Sequence, residues 1–314
     1  MTLLLAALTS RALPGGRWLA PGHVDPNLPF WAAWPQEPLL LLGLGLTVCL
    51  YWLGWSRLSR VGTGGAVSTW RAASFMVGAL AVGAALLSPI ATFSDRLFFM
   101  HMIQHLLLLL IAPPLLLLGQ PLVPIMWGLP RQVRKPLGRA LRTGQPLARI
   151  GNVITTPIFA AAAFVITLAV WHIPVFYDAA QGRTFTHDLE HLMFFGTALL
   201  YWWPVIHPSG GRRRLSFGLA LPYLLPPFLE SMLIGVMLTF AGQPLYRTYA
   251  EMQMPWGFNP VTDQQLGGLI MWIPGGLFFL IPMIGLLIAL LNNEERPARP
   301  VPMPRQEHAS GGPG

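Results

Sequence analysis

Charge and cysteine are what this chain has least of. Asp, Glu, Lys and Arg make up 10% of its 314 residues against 54% hydrophobic, a balance that excludes both an ordinary soluble domain and an intrinsically disordered chain. Cys49 is the only cysteine and lies inside an apolar run. Neither an internal disulfide nor a CxxC thiol pair can form, so thiol-based redox or metal-shuttling chemistry is not expected. The net charge of +8 does not point to nucleic acid, because that reading needs the basic residues on one soluble face and here they punctuate the hydrophobic segments. The HExxH pattern of zinc proteases is also missing. Its glutamate directly follows the first histidine, whereas Glu190 directly precedes the second of the pair His187 and His191.

What is present is a succession of apolar runs of near-spanning length, with a mean hydropathy of +0.54. They predict an all-α polytopic membrane protein, a bundle of about seven transmembrane helices. The runs are Leu39 to Trp55, Ala72 to Thr92, Leu97 to Leu118, Ile150 to His172, Leu189 to Ile206, Leu215 to Phe240 and Leu266 to Leu291. The chain then divides into an N-terminal tail (1–38), a transmembrane domain (39–291) and a tail rich in Pro, Gly and charge (292–314) that is expected to be disordered. Met1 to Thr9 is apolar but short and lacks a basic start, so it reads as a tail or interfacial segment.

Fifteen of the twenty Lys and Arg fall in alternate connections and the C-terminal tail, six of them between Arg131 and Arg149. By the positive-inside rule that side is cytoplasmic, which puts the N-terminus outside and the C-terminus inside. The Arg131 to Arg149 connection reads either as a basic interfacial helix drawn to anionic membrane lipids or as a solvated loop that merely obeys the topology.

This orientation places His101, His105, His172, His187 and His191 at the outer ends of three spans. Residues four apart project from one face of a helix, and imidazole is the commonest protein metal ligand. Met102 lies beside the first pair, and thioether with imidazole suits copper, Cu(I) above all. The competing reading is interfacial histidines bonded to loops, with methionines filling gaps. Asp188 would cap a helix start or brace a ligating imidazole. Asp263 and Gln264 open the last span, with Met271 two turns below. Asp263 is expected to cap that span, with a ligand role as the alternative. The candidate metal set is therefore His101, His105, His172, His187, His191, Met102, Met271 and Asp263.

Haem is the alternative cofactor, with histidines on facing helices as axial ligands of an electron-transfer protein. Pro222, Pro226 and Pro227 predict a kink in the sixth span. Glu230 beyond them is either a proton-handling group or a neutral, hydrogen-bonded carboxyl. A transporter built around it would be expected to carry repeat symmetry, and none is visible. His23, His207 and His308 stand apart and are expected to be incidental.

Five stretches carry a resemblance: His101 to Pro121 (HMIQHLLLLLIAPPLLLLGQP), Trp171 to Ala180 (WHIPVFYDAA), His187 to Ile206 (HDLEHLMFFGTALLYWWPVI), Pro244 to Ala250 (PLYRTYA) and Thr262 to Gly276 (TDQQLGGLIMWIPGG). Together they resemble the CtaG family of seven-span bacterial cytochrome c oxidase assembly factors. The resemblance implies a plasma-membrane protein that helps mature the oxidase through copper delivery and is not itself an enzyme. Cytochrome c oxidase subunits and a copper donor protein are the implied partners.

Overall fold

The computed structural model describes residues 11–12, 18–19, 29–61, 68–142, 144–206, 215, 217–251 and 254–294. His23, His207 and His308, and most of both expected tails, lie outside the described residues. Among the described residues the regular structure is helical apart from a two-residue antiparallel pairing of Arg11–Ala12 with Trp18–Leu19. In chain order the helices are α1 Pro38–Val61, α2 Thr69–Ser94, α3 Phe98–Leu118, α4 Leu122–Gly128, α5 Arg131–Ala140, α6 Pro146–Ile154, α7 Pro157–His172, α8 Pro174–Gln181, α9 Thr184–Ile206, α10 Phe217–Phe240, α11 Arg247–Ala250, α12 Pro260–Trp272 and α13 Pro274–Glu294.

Among the described residues, five helices are long and apolar enough to cross a membrane: α1, α2, α3, α10 and the α12–α13 stretch. The count is six when α6 and α7, bent by 63°, are taken as one span. The expectation of seven includes α9, whose opening turns carry His187, Asp188, Glu190 and His191 and lie outside that set. The bend in the fourth expected span has a local cause. Pro157 disfavours helical geometry at the residue before it, and Thr156 is extended at ψ 140°. The outward faces stay apolar, with Leu39, Leu41, Leu42 and Leu46 of α1 and Ile281, Ile284, Leu287 and Ile288 of α13 exposed. That is the pattern of a lipid-facing surface. Cys49 is exposed on α1.

Proline falls within or between several of these helices, and three of the carbonyls it orphans are met by side chains. Pro89 has no N–H for the carbonyl four residues back, and Gln104 of α3 donates to that Ala85 oxygen at 2.9 Å. Pro113 orphans the carbonyl of Leu109, which accepts from the Trp202 indole at 3.0 Å, and the turn around it widens into a π-helical segment, Leu107–Ile111. Pro227 orphans Tyr223, whose oxygen accepts from the Tyr201 hydroxyl at 3.4 Å. α10 is continuous from Phe217 to Phe240 through its three prolines. With little water inside a bilayer, each bond replaces one the backbone cannot make. Each also ties two helices together.

Close approach is supplied by glycine where it is needed. A Cβ on Gly268 of α12 would come within 2.7 Å of the Gly235 carbonyl oxygen of α10, so the two backbones touch only because that side chain is absent.

Replacing Trp202 by Phe keeps an aromatic ring but removes the indole N–H along with part of the ring volume, and strips the Leu109 carbonyl of its donor. A loss of about 1–3 kcal/mol is expected, read as a lower thermal unfolding midpoint of the detergent-purified protein. An unchanged midpoint would show that this oxygen needs no such partner.

Candidate metal centre

The two histidine pairs lie on α3 and α9. His101 and His105 are one turn apart, with ring centroids 4.0 Å apart; His187 and His191 repeat this at 4.2 Å. The two faces meet. His101 stands 5.6 Å from His187 and 5.8 Å from His191, and His105 stands 5.6 Å from His191, centroid to centroid. His172 closes α7 with its ring 6.4 Å from His105. His101, His105, His172 and His191 are buried and His187 is partly buried.

Glu190 lies among them, wholly buried, with Oε1 3.8 Å from His101 Nε2 and 3.7 Å from His105 Nε2. Among the described residues, neither of its oxygens has a hydrogen-bond partner. The same holds for Nε2 of His101, His105, His172, His187 and His191 and for Nδ1 of His105. Each buried polar atom left unbonded costs roughly 1–3 kcal/mol, so a whole group of them facing inward calls for a shared partner. Two trios have ligand atoms within 4.8 Å of one another: His101 with His105 and His191, and His101 with His187 and Glu190. Imidazole nitrogens with one carboxylate are a donor set that suits copper or zinc.

The surroundings set ring orientation. His172 Nδ1 lies 2.8 Å from the Leu168 carbonyl. A carbonyl only accepts, so Nδ1 carries the proton and the bare Nε2 keeps its lone pair. Gln181 at the end of α8 sits 3.0 Å from His101 Nδ1. Its amide can turn either its nitrogen or its oxygen to the ring, and the oxygen would hold the proton on Nδ1 and free Nε2 for a metal.

The structure handles the remaining expected residues differently. Asp263 was expected to cap its own helix or to ligate, yet Asn259 caps α12 through Val261 N at 2.9 Å. Asp263 instead accepts from Phe98 N at 2.7 Å and Phe99 N at 3.0 Å, the orphan amides at the start of α3. With both oxygens so engaged it stands outside the histidine group, as a clamp that fixes the height of the His101 and His105 helix. Met102 and Met271 are placed by a cavity beside His105 and His172. Its volume is about 30 Å³, room for one or two waters.

The connections next to the site are tied down over it. Tyr246 donates to the His172 carbonyl at 3.2 Å, Tyr249 to the Ser94 carbonyl at 2.8 Å, and Asp178 accepts from Thr248 Oγ1 at 2.8 Å. Gln264 accepts from Leu245 N at 2.6 Å. Burial pushes the Tyr177 and Tyr249 hydroxyls well above the usual tyrosine range, so both remain neutral hydrogen-bonding groups.

Sequence reasoning missed Glu190 and Gln181 as site residues. Glu190 was findable, since it lies three residues after His187 and so shares its face. Gln181 belongs to a separate short helix with no periodic signal, and only the fold brings it to His101.

Fold and site together define a multi-helix protein with helices long and apolar enough to cross a membrane and a buried cluster of side chains of metal-ligand type. A family model described as cytochrome c oxidase caa3 assembly factor matches residues 49–293. The chain belongs to this Caa3_CtaG family. Uncharacterized proteins of Mycobacterium bovis and Mycobacterium tuberculosis are each 26% identical over 263 residues, covering 82% of this chain and 39% of the relative. One from Mycobacterium leprae is 24% identical over 292 residues, covering 89% and 42%. The chain thus spans about two-fifths of the length of the curated relatives it matches. No solved structure matches.

Asp263→Asn retains size but weakens the clamp on Phe98 and Phe99. The variant is expected to lose about 1–2 kcal/mol, seen as a lower unfolding midpoint and faster amide hydrogen exchange at the start of α3. Wild-type exchange at Phe98 and Phe99 would contradict the clamp.

Proposed function

We propose that this chain is a copper-handling assembly factor for a cytochrome c oxidase in the bacterial plasma membrane, and not an enzyme. His101, His105, His187 and His191 hold the ion as cargo, with Glu190 beside them. His172 and the thioethers of Met102 and Met271 flank the site on its inner side. The observation that carries this reading is the convergence of His101, His105, His187, His191 and the Glu190 carboxylate in two overlapping trios of ligand atoms, with every Nε2 and both carboxylate oxygens lacking a hydrogen-bond partner among the described residues. Family membership supplies the client, an oxidase whose assembly this protein serves. Its partners are then oxidase subunits, a donor that surrenders copper, and the surrounding lipid.

In this reading α9 is the seventh span. Its 23 residues reach about 34 Å at 1.5 Å per residue, enough for a bilayer core. The N-terminus is outside and the basic connections are cytoplasmic, so the histidines open to the outer compartment. A carrier must release what it holds. Ligands divided between two helices suit that, because a small shift of α3 against α9 loosens the set. The close packing of the rings favours a bare ion over a haem, since centroids 4.0–5.8 Å apart leave no slot for a macrocycle between them.

The double variant His101→Ala/His191→Ala is expected to lower copper retained by the purified protein at least about tenfold and to lower oxidase activity in the host. Elemental analysis and oxidase assay check this. Unchanged copper content would remove direct binding from the account.

A further inference from the structure

The two trios share His101 and differ in everything else, and they differ in exposure as well. One contains His187, the least buried histidine of the group, together with the carboxylate of Glu190. The other contains only buried imidazoles, His101, His105 and His191. On each helix the second histidine follows the first by one turn, about 6 Å along the axis, so His187 and His101 form an upper tier and His191 and His105 a lower one. The shared ring matters most. Gln181 occupies His101 Nδ1, leaving Nε2 as the one free donor atom, and a single nitrogen lone pair cannot serve two ions. The trios are therefore alternatives for one ion. Glu190 reaches both tiers, with Oε1 3.7 Å from His105 Nε2 and 3.8 Å from His101 Nε2.

Resting on the copper-carrying reading above, we propose that the site is a two-step relay for one ion. It has an outer receiving position on His187, Glu190 and His101 and an inner holding position on His101, His105 and His191. His101 never lets go as the ion passes from the first to the second. The mixed oxygen and nitrogen set with a partly exposed ligand favours capture of a hydrated ion, because a carboxylate competes with water for a hard cation. The buried all-imidazole set favours retention of the same ion once its water has been shed. No bond other than metal–ligand bonds changes, and no electron moves.

The test uses full-length protein in detergent and Cu(II) alone, followed by freeze-quench electron paramagnetic resonance. Wild-type protein is expected to bind one Cu(II) per chain. An early signal of mixed nitrogen and oxygen ligation should convert to one of nitrogen ligation only. His105→Ala should stop at the early signal. His187→Ala, or the milder His187→Gln, should lack that signal and fill the inner position roughly tenfold more slowly, while retaining more copper than His105→Ala does. A single unchanging signal in wild-type protein would overturn the relay while leaving the copper site standing, and so would equal losses of bound copper in the His187 and His105 variants. Two Cu(II) per chain would overturn the sharing of His101. No Cu(II) bound by wild-type protein would sink the copper reading itself.

Discussion

Two helices each present a pair of imidazoles to the other, and among the described residues their Nε2 atoms find no hydrogen-bond partner. This is the constraint on which the rest of the structure turns. Unbonded donors and acceptors in a dry interior work against folding, and here they accumulate at one point where a set of apolar side chains would have packed without penalty. The arrangement makes physical sense as a cradle for a cation that all of these groups can bond at once.

Holding the cradle open without a ligand requires support from outside it, and the fold provides this mostly with backbone polar groups. The Asp263 carboxylate engages the first amides of α3, so the height of His101 and His105 is set by α12. Gln104, Trp202 and Tyr201 each take up a carbonyl that a proline has left unmatched. The polar side chains make those carbonyls tolerable in an apolar setting. Beside the site, Tyr246, Tyr249 and Gln264 bond the connecting segments to the helix ends.

Much of this was legible in the sequence because it is periodic. The apolar runs marked the helices, and the four-residue spacing of the two histidine pairs set each on one face. Asp263 was misjudged because a carboxylate at a helix start caps its own helix by default. What decided otherwise was the neighbouring α3, whose free amides lie 165 and 164 positions away along the chain. Gln181 and the side-chain repairs of the broken helices are contacts between distant segments, and no local pattern encodes them. The bend before Pro157 was encoded locally, but the apolar run across it hid the break.

The central claim is that these imidazoles ligate copper. X-ray absorption at the copper edge of the protein loaded with one equivalent tests it most directly. The account predicts a first shell of nitrogen and oxygen at about 2.0 Å with the outer-shell scattering of several imidazole rings. A first shell of sulfur, or one lacking imidazole scattering, would contradict it.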